Sequence, residues 1–197
     1  MGNVVLYMSM SVDGFIAGPD DDAEHGLGID GEVLHDWLWS GGVDPRSHRP
    51  TDEANAAVFD EMLATGAVIT GRNTFEYAGR WNGDHHDGVP VFVLTHGVPD
   101  EPPPGAVHYV TDPETCVAQA KAAAADRDIL LHGASAAQSL LRAGLIDEIQ
   151  LHLIPVLLGQ GRRLFDQLPP DHTELELLRE LEAPGVLHLR YRVRKKG

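Results

Sequence analysis

Short apolar runs alternate with segments of helical periodicity along most of this chain. A helix between two consecutive strands carries the chain back over the sheet, so that the strands run parallel. The expected strands are 4–8, 67–70, 91–94, 107–110, 129–131 and 148–154. The expected helices are 52–63, a short one from Thr74, one through Cys116 and Ala120, and 136–142. The alternation predicts an α/β fold with a central, mostly parallel sheet flanked by helices.

The C-terminal region departs from this alternation. Ala183-Pro184-Gly185 is typical of a tight turn, and apolar residues alternate with His188 and basic residues from 186 to 193. This pattern predicts an antiparallel C-terminal hairpin whose last strand lies at the sheet edge, with its basic residues facing solvent. The sequence has no internal repeat and no composition break, so we expect a single domain over 1–197.

The chain is strongly acidic, with a net charge of −15. This charge argues against binding to nucleic acid or to an anionic membrane surface. Cys116 is the only cysteine, which excludes a disulfide framework and favours a reducing compartment. The sequence has neither an apolar run long enough for a membrane span nor a signal sequence, so a cytoplasmic location is expected.

The hexapeptide GLGIDG, residues 26–31, matches the G-x-G-x-x-G spacing of dinucleotide-binding loops. That fingerprint requires a hydrophobic strand directly before it, whereas residues 19–25 are mostly acidic. Negative charge under a pyrophosphate would repel the ligand. We therefore interpret the match as coincidental.

A junction suited to anions follows the expected strand 67–70. Gly71 lets the chain turn, and Asn73 with Glu76 has the spacing of a helix capping box. The helix start would present free backbone N–H groups and the positive end of the helix dipole. Arg72 adds a guanidinium whose donors suit phosphate. A capped surface helix with an unrelated arginine remains an equal alternative.

A second junction follows the strand 129–131. Ser135 and Gln138 again have the capping-box spacing, and the small residues Gly133, Ala134 and Ser135 would let a ligand approach the backbone closely. The alternative is a tight connection that needs glycine only for its geometry. Two such junctions on one sheet favour a ligand with two phosphate groups, such as a dinucleotide.

Other chemistries have weaker support in the sequence. Asp84-His85-His86-Asp87 contains metal-ligand residue types, but adjacent histidines in a glycine-flanked loop are more often solvated, so we predict no metal. The sequence has no G-x-S-x-G nucleophile elbow, which argues against a hydrolase. Trp37, Trp39, Tyr77 and Trp81 could wall a flat heterocyclic substrate, although Trp37 and Trp39 could equally form a packed lid.

Three segments resemble the dihydrofolate-reductase-like superfamily. TGRNTFE, residues 70–76, resembles the phosphate-binding segment of dihydrofolate reductases, and SMSVDGFIAG, residues 9–18, resembles the first strand and loop of the superfamily. Residues 130–165 are similar to the reductase domain of the bacterial bifunctional riboflavin-biosynthesis deaminase/reductase. The CxxC ligands of that enzyme's zinc deaminase are absent from this sequence. The resemblance implies a dihydrofolate-reductase-like fold that binds NADPH without a G-x-G-x-x-G loop.

The resemblance also implies positions for the cofactor along the strand ends. They are Ser9, Ile16 and Ala17 beside the nicotinamide, Gly133, Ala134 and Ser135 at the pyrophosphate, Gly71, Arg72, Asn73 and Thr74 at the adenosine-side phosphates, and Leu94, Thr95 and His96 beside the adenine. Arg72 is expected to favour NADPH over NADH.

At the substrate end the resemblance implies Asp13, Asn55 and Gly159, with Asp13 and Asn55 as catalytic candidates. Trp81 is added as a substrate candidate because its aromatic ring could wall a flat heterocycle. Dihydrofolate reductases carry a carboxylate on the helix before the first junction, and Asn55 is nearest to that position. A neutral amide cannot act as that acid, which argues against folate reduction.

We therefore expect an NADPH-dependent reductase that passes hydride to a C=N or C=O of a pyrimidine- or pterin-like substrate. A dihydrofolate-reductase-type activity and a non-catalytic NADPH-binding module are the alternatives. Related reductase domains associate in pairs, so a homodimer is expected, with the last strand at its interface.

Overall fold

A computed structural model describes residues 2–39, 42–44, 49–100, 105–166, 168 and 170–195. Its central sheet has eight strands: β1 Val4–Ser11, β5 Ala67–Gly71, β6 Val91–Leu94, β7 Val107–Val110, β8 Ile129–His132, β9 Glu148–Ile154, β11 Leu175–Ala183 and β12 Val186–Val193. Their order across the sheet is β11-β12-β9-β1-β8-β5-β6-β7. The strands from β9 to β7 are parallel, and the hairpin β11–β12 adds two antiparallel strands.

Helices and short strands complete the described fold. They are α1 Glu53–Leu63, α2 Arg72–Tyr77, α3 Pro113–Ala124, α4 Ala134–Arg142, the 3₁₀ segments Gly31–Leu38 and Gly79–Gly83, and the strands β2 Phe15–Ala17, β3 Val43–Asp44, β4 Arg49–Pro50 and β10 Arg162–Arg163. β2 pairs with β10, and β3 pairs with β4. The predicted α/β class is confirmed. None of the described helices is long and apolar enough to cross a membrane.

The sheet buries alternate residues on opposite faces, as a pleated strand requires. In β1, Val4 and Leu6 pack on the face that α3 and α4 cover. Tyr7 packs on the other face, with Trp37 of the 3₁₀ segment and Val58 of α1. The sheet is therefore covered on both sides, which explains why its parallel strands are continuous apolar runs.

The C-terminal hairpin is confirmed, but the prediction that its last strand lies at the edge is wrong. β12 lies between β11 and β9, so β11 forms the edge. His188 is completely buried and stands opposite His152 of β9. Arg190 donates to Glu148 at 2.6 Å and contacts Glu61 of α1. α1 contacts this face at Arg190 through Glu61, whereas Arg192 further along the same face is 54% exposed.

Candidate functional site

A cavity of about 500 Å³ opens at the carboxyl-terminal edge of the parallel strands. Ligands of open α/β sheets bind outside this edge, where strands turn into helices. The floor consists of Tyr7, Met8 and Ser9 of β1, with His132 of β8 and His152 of β9. The walls include residues of β2, the 3₁₀ segment Gly31–Leu38, α1, α2, α4 and β10.

The two glycine junctions touch each other at the wall of this cavity. β5 and β8 are parallel neighbours, so their following helices start side by side. Gly133 has φ +87°, and a Cβ added there would collide with the Thr74 hydroxyl of the other junction. A Cβ on Gly71 would lie 2.5 Å from Ser135 Oγ. Each glycine therefore makes room for a hydroxyl of the opposite junction.

Both predicted capping boxes are wrong. α2 begins at Arg72 with Gly71 as its N-cap, and α4 begins at Ala134 with Gly133 as its N-cap. Among the described residues, no side chain caps either helix start. Gln138 instead donates to the Leu164 carbonyl at 2.9 Å. The uncapped starts leave backbone N–H groups of the first turns available to water or to a ligand.

The structure brings many of the predicted cofactor residues to one cavity. Those that line it are Ser9, Ile16, Ala17, Asn73, Thr74, Gly133, Ala134 and Ser135. Predicted residues outside the lining are Gly71, Arg72, Leu94, Thr95 and His96. Arg72 lies beside the cavity on the exposed side of α2, with Nε 3.9 Å from Glu76. The segment from Leu94 to His96 follows β6, at the same edge of the sheet.

Of the predicted substrate residues, Asp13 and Gly159 lie together outside the cavity lining. Asp13 accepts hydrogen bonds from the Ser11 hydroxyl at 2.6 Å and from the backbone N–H groups of Leu158 and Gly159 at 3.1 and 2.7 Å. The Ser11 bond, with those from Gly159 and Leu158, lowers the pKa of Asp13. The Asp13 carboxylate therefore links the loop after β1 to the loop after β9.

Asn55 does not reach the cavity either. It is completely buried in α1. Its Nδ2 donates to the Trp37 carbonyl at 3.1 Å, and its Oδ1 lies 2.9 Å from His188 Nε2. Both polar ends of the amide are therefore used within the protein, and any effect of Asn55 on a ligand must pass through its neighbours.

Trp81, the remaining predicted substrate residue, does line the cavity. It stands in an unusual turn in which Arg80, Trp81 and Asn82 all have positive φ, at 55°, 45° and 51°. For residues other than glycine, each such conformation costs about 1–3 kcal/mol, and such strain concentrates at functional sites. The turn holds the indole edge-on to the Phe75 ring at 5.7 Å.

Four histidines that were not predicted to lie in this site also line the cavity. His35, His85, His132 and His152 all line the cavity. Burial lowers the pKa of His85 to about 2 and that of His132 to about 4, and it lowers the pKa of His152 well below its usual value. These rings are therefore neutral at physiological pH. The histidines are scattered along the sequence, so no local motif could have identified them.

Other lining residues were also missed. Asp21, from the acidic loop before GLGIDG, forms a two-bond ion pair with Arg162 of β10 at 2.5 and 2.8 Å. Gly26 and Leu27 of GLGIDG line the cavity as part of a loop. Met8, Leu38, Phe59 and Met62 supply apolar surface. The acidic residues within 19–25 could have suggested an ion pair with a basic residue elsewhere. The sequence does not show that Asp21 is the acid or that Arg162 is its partner.

The Asp84–Asp87 segment and the tryptophans have distinct placements. His85 Nδ1 lies 2.7 Å from His86 Nδ1, and no group of three or more metal-ligand side chains is assembled within the described residues. Trp37 is buried and donates to Ser9 Oγ at 2.9 Å. Trp39 is 53% exposed. Trp37 therefore supports the cavity wall, whereas Trp39 does not line it.

Solved structures share this architecture. A provisionally assigned riboflavin biosynthesis protein from Shewanella sp. PV-4 is 24% identical, with a TM-score of 0.71 over 98% of this chain and 99% of that one. RibD of Acinetobacter baumannii is 18% identical, with a TM-score of 0.64 over 99% of this chain and 59% of that one. A dihydrofolate reductase from Enterococcus faecalis, complexed with NADP(H), is 17% identical with a TM-score of 0.58, over 98% of each chain.

These similarities confirm the dihydrofolate-reductase-like fold that the sequence resemblance implied. No match was found among curated proteins. The family model of the RibD C-terminal domain, however, matches residues 3–188, which is nearly the whole chain. This protein therefore belongs to the RibD C-terminal domain family.

Proposed function

We propose that this protein is an NADPH-dependent reductase that transfers hydride to a C=N or C=O of a pyrimidine-like substrate. The proposed activity resembles that of 5-amino-6-(5-phosphoribosylamino)uracil reductase. The family match supports a riboflavin-pathway reductase-like role. The observation that carries the proposal is the contact between the two glycine junctions at the wall of one large cavity.

The chemistry of the cavity fits a dinucleotide. The uncapped first turn of α4, with Gly133, Ala134 and Ser135, offers backbone donors for a pyrophosphate. Arg72, the first residue of α2, would supply a guanidinium for a 2′-phosphate. Ser9, Ile16 and Ala17 would border the nicotinamide, which supplies the hydride when the cofactor is bound. The protein contributes position and electrostatics.

The proton that accompanies hydride transfer needs a donor, and the cavity offers few candidates. Among the described lining residues Asp21 is the one carboxylate, and Arg162 holds it in an ion pair. Asp13 and Asn55 lie outside the lining. This shortage of free acids is the observation that favours the second candidate, a non-catalytic NADPH-binding module.

Two measurements test the proposal. Because a ligand at about 100 times its Kd adds about 2.7 kcal/mol to stability, NADPH should raise Tm by about 5–11 °C in a chain of this size. NADPH oxidation should then be followed with ribosylated pyrimidines, pterins, folates and quinones. A missing thermal shift would refute the cofactor assignment. Binding without oxidation of any compound would support the module, and oxidation with folates alone would support a dihydrofolate reductase.

A further inference from the structure

His152 of β9 has one ring nitrogen in a hydrogen bond and one without a partner. The side chain is 1% exposed, and its Nδ1 lies 2.7 Å from His188 Nδ1. Nε2 is buried and has no hydrogen-bond partner among the described residues. His152 lines the cavity, and because its Nδ1 is engaged by His188, Nε2 is the ring nitrogen left for a ligand. A buried polar atom without a partner destabilises the protein, and a bound group that donates to it would remove that cost.

The neighbours of His152 determine which of its nitrogens carries the proton. Asn55 Nδ2 donates to the Trp37 carbonyl, so its Oδ1 faces His188 Nε2 as an acceptor. His188 Nε2 must therefore carry the proton, which leaves His188 Nδ1 as an acceptor. His152 Nδ1 then donates to His188 Nδ1. In the neutral ring, His152 Nε2 is left with a free lone pair.

The surroundings keep the His152 ring neutral and fixed. Burial lowers its pKa, and the nearby His188, His35, His132 and Arg179 lower it further. The ring packs between Tyr7 and Trp37, with centroid separations of 4.1 and 4.8 Å. A ring held in this way presents its lone pair in one direction.

We propose that His152 Nε2 accepts a hydrogen bond from an N–H group of a neutral nitrogen heterocycle bound in the cavity. His152 is then a specificity-determining residue, and Asn55 and His188 are positioning residues that fix its tautomer. The assignment rests on the proposed function in taking this cavity as the substrate site. Carbonyl and phosphate oxygens are acceptors, so they do not match this position, and a phosphate of the substrate must lie elsewhere.

The tautomers can be read directly in the unliganded protein. In ¹⁵N-histidine-labelled protein, long-range ¹H–¹⁵N spectra should show His152 protonated at Nδ1 and His188 protonated at Nε2. In Asn55→Leu the constraint on His188 is gone, and both rings should show mixed tautomers. A His152 ring protonated at Nε2 in the natural protein would overturn the proposal without any variant.

The donor requirement is tested with uracil and 1,3-dimethyluracil, which share carbonyl groups but differ in ring N–H groups. Uracil should shift the His152 Nε2 resonance and bind more tightly than its dimethyl analogue. His152→Phe keeps a flat ring without the lone pair and should weaken uracil by about three- to tenfold, the value of one hydrogen bond. Binding of the dimethyl analogue should not change, and His152→Gln, which retains an acceptor oxygen, should restore part of the loss.

These results separate this proposal from the proposed function. Equal weakening of uracil and 1,3-dimethyluracil in His152→Phe, or no weakening of either, would overturn the role of His152, even if NADPH raises Tm as expected. Selective weakening of uracil would support that role, even if NADPH does not bind and the reductase assignment fails.

Discussion

Replacing Gly133 with alanine tests the contact between the two junctions. Gly133 has φ +87° and ψ 146°, a region that is nearly restricted to glycine and costs about 1–3 kcal/mol for other residues. The new Cβ would also overlap the Thr74 hydroxyl and lie 3.1 Å from Thr74 Cβ. Overpacking of this kind costs about 1–3 kcal/mol more. We therefore expect Gly133→Ala to lower the free energy of unfolding by about 2–6 kcal/mol.

Gly144→Ala is the matched control, because Gly144 has φ +67° but a Cβ there would meet nothing within 4 Å. It should show the cost of a positive φ without any overlap. Urea unfolding of both variants measures stability, and titration with NADPH measures the site. Gly133→Ala should be the less stable variant and should bind NADPH more weakly than the natural protein. If it matches Gly144→Ala in stability and keeps natural affinity, the junctions do not depend on each other as argued.

Three further predictions concern cofactor choice, pH and assembly. Arg72→Ala should weaken NADPH binding by about 10- to 100-fold and leave NADH binding nearly unchanged, because a charge-assisted hydrogen bond to the 2′-phosphate is lost. Arg192 is also exposed and ion-paired with a glutamate, so Arg192→Ala is the control and should change the binding of neither nucleotide. The folded-state pKa values of His132 and His188 are lowered to about 4. Because these histidines take up protons at a higher pH in the unfolded chain, the free energy of unfolding should fall as the pH drops from about 6.5 to 4. The expected fall is about 1.4 kcal/mol per pH unit for each histidine. Equal free energies of unfolding at neutral pH and near pH 5 would contradict this. Light scattering should give twice the 21.4 kDa of one chain, since the edge strand β11 exposes leucines that a partner could cover; a monomer mass would refute the dimer.

Much of the site's backbone could be predicted from the sequence because its signals are local. Strand 67–70 followed by Gly71, and strand 129–131 followed by Gly133, were expected and were found. The capping boxes failed because spacing alone does not show where a helix begins. In both cases the glycine, rather than the polar residue after it, occupies the N-cap.

Asn55 shows that counting positions along the sequence can predict where a residue lies on a helix but not what its side chain contacts. Its distance from Gly71 suggested a catalytic position, but the packing of α1 against the 3₁₀ segment turns the amide toward the Trp37 carbonyl and His188. A side chain's direction depends on which element packs against it. That information lies in residues distant along the chain.

The sequence by itself determined the order along the chain of the six parallel strands and the four α-helices, the hairpin turn and the glycine junctions, because periodicity and turn chemistry act over a few residues. Only the tertiary structure decided that β12 inserts between β11 and β9, and with it that His188 stands opposite His152. Pairing register is set by burial of whole faces across the sheet. The two histidines are 36 residues apart, so their contact exists only once the sheet has formed.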